Sequence, residues 1–256
     1  MLFRVLGPLD IRGTTVAPRK QRLLLAALLA RRGGWVSTGH LVDVLWEDDP
    51  PRSAMANMQT YVWELRRRLP PTRLGRPRVQ RDREGYRIPL EDGELDAGAF
   101  EDLAARGRRA IAAGDTGRGA GLLSAALELW RGEPFEDVAD AVPAAVTRLR
   151  EQRLLAGEDL LDARLRLGEH REAVDELYRL TEADPLRERP WTQLMLALYR
   201  CGRRAEALHT YHRLYRLLDT EYGIPPGAPV RELHEAILAD DPALFPDHSR
   251  YTASPA

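Results

Sequence analysis

A repeat of 34 residues in the last third of the chain restricts the possible folds more than any other feature. The segment GEHREAVDELYRL begins at Gly168, and GRRAEALHTYHRL begins 34 residues later, at Gly202, with matching Gly, Glu, Ala, Arg and Leu positions. Thirty-four residues is the tetratricopeptide period, and Asp184-Pro185 lies where such repeats turn. The spacing predicts helix pairs that present a groove to a protein partner. A plain helical bundle without a groove is the alternative.

Helical spacing begins well before this repeat. Asp96 can cap a helix that continues to about Ala113, and residues 118–130 and 144–167 also carry apolar side chains at helical intervals. The Gly-rich segment GDTGRGAG, at 114–121, lacks the strand-before, helix-after setting of a dinucleotide loop. It is predicted to be a turn between two helices.

The first third of the chain begins and ends with strand patterns. Residues 2–11 alternate between apolar and polar side chains, which predicts an edge-like strand or a short hairpin with Thr14–Val16. Residues 79–90 alternate around a turn near Glu84-Gly85, which predicts a second hairpin.

Three helices are predicted between these strands. Pro18 at the first helical position opens the first helix, and Gly33-Gly34 end it. Ser37 or Thr38 caps the second helix. The third extends from about Arg52 to Leu69, where two prolines stop it.

These patterns together predict a mainly α protein. Residues 1–92 are expected to form a winged helix-turn-helix with three helices, a small β-sheet and a β-hairpin wing. Residues 95–242 are expected to form an all-α, tetratricopeptide-like domain, and residues 243–256 a flexible tail.

The third predicted helix has two unlike faces when it is drawn at about 100° per residue. One face is apolar and is expected in the core: Ala54, Met58, Tyr61, Val62, Leu65 and Leu69. The other carries Ser53, Ala56, Asn57, Thr60, Trp63, Glu64 and Arg67, with Gln59 and Arg66 on the flank. Amide, hydroxyl and guanidinium groups read base edges in the major groove. The candidates for base reading are Asn57, Gln59, Thr60, Trp63 and Arg67; an ordinary solvated helix face is the alternative.

Charge is divided unevenly along the chain. Residues 1–90 carry 17 Arg and Lys against 8 Asp and Glu, a formal charge of +9, whereas residues 91–256 carry 21 against 31, or −10. A basic domain attached to an acidic one is expected when only the first meets a polyanion. Helix N-termini and a basic wing are where phosphates are usually held. The phosphate-contact candidates are Arg19, Lys20, Arg22, Ser37, Thr38, Arg52, Arg66, Arg81 and Arg83.

The sequence lacks the motifs of several classes of enzyme and cofactor-binding protein. Lys20 is the single lysine and follows no glycine, so a Walker A loop is excluded. His209 and His212 lie three apart in an arginine-rich setting that disfavours a divalent metal, and Cys201 is expected as a small buried residue. We therefore expect no enzyme activity, no cofactor and no metal.

No part of the chain predicts a membrane span or export. The longest apolar runs fall short of the roughly 18 residues that a span needs, and Arg4 interrupts the apolar N-terminus. A cytoplasmic protein is expected.

Several segments are informative through their order and spacing along the chain. They are APRKQRLLLAALLARRGGWVS at 17–37, LWEDDPPRSA at 45–54, QTYVWELRRRL at 59–69, GYRI at 85–88, DAGAFEDLA at 96–104, LWRGEPFEDV at 129–138, RERPWTQLMLALYRCGRRAEALHTYHRL at 187–214 and DTEYGIPPGAPVRELHEAIL at 219–238. Together they resemble the Streptomyces antibiotic regulatory protein (SARP) family of bacterial transcriptional activators, over about residues 2–242.

The resemblance implies an OmpR-like winged helix followed by a tetratricopeptide-like bacterial transcriptional activation domain. It further implies binding to direct repeats near the −35 element as a head-to-tail homodimer, contact with RNA polymerase holoenzyme, and control of a secondary-metabolite (antibiotic) gene cluster. Gln59, Thr60, Arg66 and Arg67 fit the family's recognition helix. The chain departs from it at Met55, Ala56, Trp63 and Glu64, where members often carry Arg, Asn, Ser and Arg.

A second hypothesis of another class is a repeat-based adaptor whose basic domain binds an acidic protein. A specific duplex that outcompetes random duplex by roughly 10³-fold or more would favour the DNA-binding activator.

Overall fold

Helices make up most of the computed structural model, which describes residues 1–83 and 85–245, so the predicted mainly α class is confirmed. The strands are β1 (Phe3–Arg4), β2 (Asp10–Ile11), β3 (Gln80–Asp82) and β4 (Gly85–Arg87). The helices are α1 (Arg19–Ala30), α2 (Thr38–Trp46), α3 (Ala54–Arg68), α4 (Asp96–Ala112), α5 (Thr116–Leu127), α6 (Pro143–Arg166), α7 (His170–Ala183), α8 (Glu188–Arg200), α9 (Arg204–Tyr222) and α10 (Ala228–Ala239). Residues 246–256 of the predicted tail lie outside the described residues.

The chain divides into two compact units. The first consists of Met1–Arg106 and Ser124–Ala156, and the second of Gly107–Leu123 and the chain from Gly157 onward. The division passes through α4, α5 and α6. The domain boundary expected at residues 92–95 therefore stays a prediction.

Strand β1 pairs with β2 in antiparallel register, Phe3 opposite Ile11 and Arg4 opposite Asp10. The predicted hairpin with Thr14–Val16 is therefore wrong, because β1 pairs with Asp10–Ile11 instead. Thr14 forms only an isolated bridge with Ile11. The chain reverses earlier, at Gly7, whose φ of +147° is open to glycine.

A buried carboxylate holds the segment after β1 in place within the first unit. Asp96 accepts hydrogen bonds from the backbone N–H groups of Val5 at 2.8 Å and Leu6 at 3.0 Å, and also from Ala97 at the start of α4. The next backbone bonds join Leu6 to Arg131 and Val5 to Phe135. Burial raises the pKa of Asp96, against the opposing effect of the three N–H donors and Arg131.

Helices α1 to α3 follow the sequence prediction closely. Helix α1 begins at Arg19, so Pro18 lies at the N-cap, one position earlier than expected. Ser37 caps α2 by accepting the His40 N–H. The expected core face of α3 is buried except for Tyr61, which is half-buried and stacks on Trp46 with ring centroids 6.3 Å apart.

Strands β3 and β4 form the second hairpin, although Glu84 at its expected tip lies outside the described residues. Tyr86 of β4 exchanges two backbone hydrogen bonds with Val36, at 2.8 and 2.9 Å. Gly85 has a φ of +133°, and a Cβ there would overlap the Val36 carbonyl oxygen. Glycine is therefore required for the hairpin to lie against the residue that precedes the α2 cap.

In the second unit, α8 is the central helix and packs against α7, α9 and α10. Its core includes the fully buried side chains of Leu177, Leu194, Leu198, Leu214 and Ile237. The two copies of the sequence repeat therefore correspond to the starts of α7 and α9, each followed by a second helix.

The glycine-rich segment at 114–121 is mostly helical, so the prediction of a turn over its whole length is wrong. Helix α5 already begins at Thr116, where Asp115 accepts the Arg118 N–H. A Cβ on Gly119 would overlap Ile111 of α4, so this glycine permits the close approach of the two helices. Sequence pattern alone could not distinguish a glycine that breaks a helix from one that lets two helices touch.

Candidate nucleic-acid interface

An exposed ridge runs along α3, opposite its buried face. Ala56, Thr60, Trp63 and Arg67 follow one another at intervals of three and four residues, and all four are exposed. Trp63 is 52% exposed, which is unusual for so large an apolar side chain. The small Ala56 side chain leaves the N-terminal end of the ridge open to a close-fitting partner.

The two large side chains of the ridge contact each other. The Arg67 Cζ atom lies over the Trp63 ring, 4.6 Å from its centroid. Glu64, the nearest acidic side chain in sequence, instead pairs with Arg68 at 3.7 Å. Among the residues that the structure describes, none forms an ion pair with Arg67. Its positive charge is therefore left for a partner.

The structure brings four of the five base-reading candidates onto one face. Thr60, Trp63 and Arg67 lie on the ridge, and Gln59 is exposed on its flank. The fifth, Asn57, is half-buried on the other flank, where its side-chain amide donates to the Ser53 hydroxyl at 3.2 Å. The Thr60 hydroxyl donates to the Ala56 carbonyl, so only its lone pairs and methyl group face outward.

Several phosphate-contact candidates are exposed. They are Arg19 in the first turn of α1, Ser37 at the α2 cap, Arg52 before α3, and Arg81 and Arg83 on the second hairpin. Thr38, the first residue of α2, is half-buried. The Arg81 guanidinium lies 5.7 Å from the Tyr86 ring centroid, which directs it across the hairpin.

The remaining three phosphate candidates have bonds within the first unit. Lys20 donates to the Leu45 carbonyl at the end of α2. Arg22 donates to the Asp137 carboxylate at 2.6 Å and to two backbone carbonyls, so its guanidinium joins separate segments of the chain. Arg66 donates from Nε to the Val79 carbonyl at 2.8 Å. The position of these basic side chains near helix ends predicts phosphate contact. In the structure, all three also hold the helices in place through their hydrogen bonds.

Arg87 is a cation beside the hairpin that sequence reasoning missed. It lies 4.5 Å from the Trp35 ring centroid and donates to the Gln80 side-chain oxygen at 3.0 Å. Cross-strand pairing of Gln80 with Arg87 creates this arrangement. The alternation of the strand residues gave no signal for it, because the ring comes from a distant segment.

In the second unit, a groove lies beside the N-terminal half of α8. Trp191, Thr181 and Pro185 line one side, and Arg213, Arg216 and Leu217 of α9 line the other. The Arg213 guanidinium lies 5.4 Å from the Trp191 ring centroid. Glu182 and Glu221 line the same groove, so its charge is mixed and favours no ligand of one sign.

An ionic cluster fixes the start of α8 on α6. Arg189 bonds to Asp159 at 2.7 Å and to Asp162, and Glu158 pairs with Arg187 and Arg189. Burial opposes the charge of Arg189, but its hydrogen bonds to Asp162 and Asp159 outweigh that effect and raise its pKa. The cluster serves packing, because it satisfies a Glu158 side chain that is almost fully buried.

No helix in the described ranges is both long and apolar enough to cross a bilayer. Within the same ranges, His, Cys, Asp and Glu side chains form no group that could hold a metal ion.

Comparisons with known proteins identify the class of protein. The family model described as Bacterial transcriptional activator domain matches residues 95–238. Regulatory protein DnrI of Streptomyces peucetius is 35% identical, over 95% of this chain and 94% of its own length. Regulatory protein AfsR of Streptomyces coelicolor is 44% identical over 94% of this chain, which spans about a quarter of AfsR.

A solved structure agrees with these matches. The structure of Mycobacterium tuberculosis EmbR in complex with a low-affinity phosphopeptide has a TM-score of 0.85 and 37% identity, and covers 94% of this chain and 65% of EmbR. These comparisons place the chain in a class of bacterial transcriptional regulators. The chain belongs to the SARP family, whose members include regulators of antibiotic production.

Proposed function

We propose that this protein is a transcriptional activator that binds double-stranded promoter DNA through α3 in the major groove. Residues 1–92 act as an OmpR-like winged helix with β3–β4 as the wing. Residues 95–242 act as a tetratricopeptide-like activation domain that contacts RNA polymerase holoenzyme. The observation that carries the proposal is the exposed ridge on a helix whose other face is buried, with an Arg67 that has no ion-pair partner among the described residues.

The surroundings of the ridge support this role. The hairpin is held against Val36 by two backbone hydrogen bonds, next to the capped start of α2. Exposed arginines stand on both the hairpin and the start of α3, and the first 90 residues carry a formal charge of +9. Phosphate contacts of this kind position a recognition helix, while side chains on that helix read the bases.

Gln59 and Arg67 are the side chains best suited to base reading. The Gln59 amide can form two hydrogen bonds to adenine, and the Arg67 guanidinium can form two to guanine. Replacing either with alanine is expected to cost about 1–3 kcal/mol on the specific site and to relax preference at one base pair. Arg109→Ala, which removes an exposed charge from the second unit, is the matched control. Equal losses on specific and random DNA would assign these residues to phosphates.

The primary experiment is selection of genomic fragments from a sheared library by the purified full chain. The proposal predicts enrichment of short direct repeats near −35 elements upstream of secondary-metabolite genes, bound by head-to-tail pairs of protomers. The selected duplex should outcompete random duplex by roughly 10³-fold or more. Absence of enrichment would overturn the proposal and favour the adaptor hypothesis.

The activation role is tested by separating the units. A fragment of residues 1–95 is expected to retain specific binding but not activation. That fragment lacks Asp96 and Asp137, which accept hydrogen bonds from the backbone of Val5, Leu6 and Leu9. A fragment of residues 1–156 keeps both and is the better comparison with the full chain.

Both fragments and the full chain should be compared in purified transcription with RNA polymerase holoenzyme. The acidic part of the chain repels phosphates and so is not expected to add DNA affinity. Full activation by residues 1–156 would show that the part of the second unit from Gly157 onward is dispensable.

A further inference from the structure

We infer that Trp63 and Arg67 form one reading unit for two neighbouring base pairs, in which Arg67 bonds to a guanine and the Trp63 indole contacts the 5-methyl group of an adjacent thymine. The inference rests on the proposed function, because it requires α3 to lie in the major groove. It goes further because it assigns a particular dinucleotide step and gives each of the two side chains its own base.

The stacking of the two side chains is the first observation. They are four residues apart on α3, and the Arg67 Cζ lies 4.6 Å from the Trp63 ring centroid. Side chains at this spacing are neighbours on a helix surface. Stacking on an aromatic face restricts a long side chain that would otherwise lose much conformational freedom on binding. Arg67 is thus held in position before DNA is bound.

The second observation is that, among the described residues, no carboxylate pairs with Arg67. Glu64 pairs with Arg68, and Arg68 also donates to the Thr15 carbonyl at 3.2 Å. The Arg67 guanidinium therefore keeps its donors free of the carboxylate closest in sequence. A planar guanidinium group with free N–H donors matches the O6 and N7 acceptors of guanine.

The assignment of a thymine follows from the layered geometry of the duplex. A guanidinium that bonds to guanine with two hydrogen bonds lies near the plane of that base. The Trp63 ring centroid, 4.6 Å from the Arg67 Cζ, then lies about one layer away, since successive base pairs are separated by about 3.4 Å. The Trp63 indole is thereby placed level with the edge of the neighbouring base pair. The thymine methyl is the one apolar group that base edges present in the major groove.

The exposure of Trp63 agrees with this assignment. Half of its surface meets solvent in the free protein, which leaves an indole face available for apolar contact. Met55 is a second exposed apolar side chain on α3, 45% exposed, but it lies outside the ridge. Met55→Ala is therefore a matched control for loss of exposed apolar surface on the same helix.

The test uses deoxyuridine, which differs from thymidine only by the missing methyl group. The full-length protein first selects its duplex, and each thymine in that duplex is then replaced singly. We expect deoxyuridine at one thymine beside a guanine to weaken wild-type binding about fourfold, the value of one buried methyl group. Trp63→Ala should bind both duplexes equally, whereas Met55→Ala should keep the fourfold ratio.

A second measurement tests the coupling of the two residues. Arg67→Ala should lose the preference for the guanine and most of the fourfold methyl effect together, because the indole loses the group that fixes its level in the groove. If the methyl effect is the same in Trp63→Ala as in the wild type, or if no thymine beside a guanine shows it, the inference is wrong while the proposed function stands. If no duplex is selected, the proposed function fails and this inference with it.

Discussion

Removal of the Asp96 side chain should destabilise the first unit more than any exposed substitution near it. The Asp96 residue is 1% exposed, and its carboxylate accepts the backbone N–H groups of Val5, Leu6 and Ala97 at 2.8 to 3.0 Å. Val5 and Leu6 are themselves buried, so water cannot replace the lost acceptor. Asp96→Ala therefore leaves two buried donors unsatisfied and removes the acceptor at the start of α4.

The magnitude follows from these three bonds. Each buried donor left without a partner costs about 1–3 kcal/mol, and loss of a helix-start acceptor costs about 1 kcal/mol. Relief from burying a charge offsets part of this sum, since burial raises the pKa of Asp96. We expect the free energy of unfolding to fall by about 3 kcal/mol. Asp96→Asn, which keeps one carbonyl acceptor, should lose about half as much.

Urea denaturation followed by tryptophan fluorescence measures this change, and hydrogen exchange at the Val5 and Leu6 amides locates it. Asp102→Ala is the control, because Asp102 is exposed and pairs only with Arg106 at 3.4 Å; it should cost less than about 0.5 kcal/mol. A loss for Asp96→Ala within 0.5 kcal/mol of that control would refute the reasoning. The raised pKa also predicts the direction of a pH dependence. Relative to Asp96→Asn, the wild type should lose stability as pH rises above 3.8, because the folded state holds the Asp96 proton more tightly than the unfolded state does.

Three further perturbations test other features of the molecule. Arg83→Ala should weaken binding to all duplexes similarly and reduce the slope of log K against log salt by about 1 in a titration of affinity with salt; an unchanged slope would remove the hairpin tip from the interface. Gly85→Ala should lower the free energy of unfolding by more than about 3 kcal/mol, because its Cβ would overlap the Val36 carbonyl at a φ open to glycine. Gly75→Ala, also at positive φ but with open space around it, should cost only about 1 kcal/mol, and equal losses would contradict the overlap. Burial, with a smaller contribution from a neighbouring histidine, lowers the pKa of His234. The wild type should therefore lose stability relative to His234→Phe as pH falls through 6.5. Urea unfolding at several pH values measures this difference, and parallel pH profiles for the two proteins would contradict it.

Local periodicity was enough to locate α1, α2 and α3. The apolar spacing in α3 identified Met58, Val62 and Leu65 as core residues, and all three are buried. Ser37 was one of two cap candidates, and its hydroxyl accepts the His40 N–H. Such features depend on residues within one or two turns of each other, so a single sequence contains them.

The exposed face of α3 was also predictable, because it is the complement of the buried one. Gln59, Thr60, Trp63 and Arg67 share it as expected. The stacking of Arg67 on Trp63 was not predicted, although their spacing of four residues permits it. Rotamer choice decides whether two neighbouring side chains touch, and the surrounding structure decides the rotamer.

Contacts between distant segments were decided only by the tertiary structure. Arg22 was expected at a phosphate, but its guanidinium bonds to Asp137, more than a hundred positions along the chain. Tyr61 was expected in the core but is half-buried, with its ring stacked on Trp46. Gly119 was expected in a turn and instead lets α5 approach α4. A sequence period reports which face of an element is apolar, whereas the partner that covers that face, and the charge that meets each arginine, depend on how the elements pack.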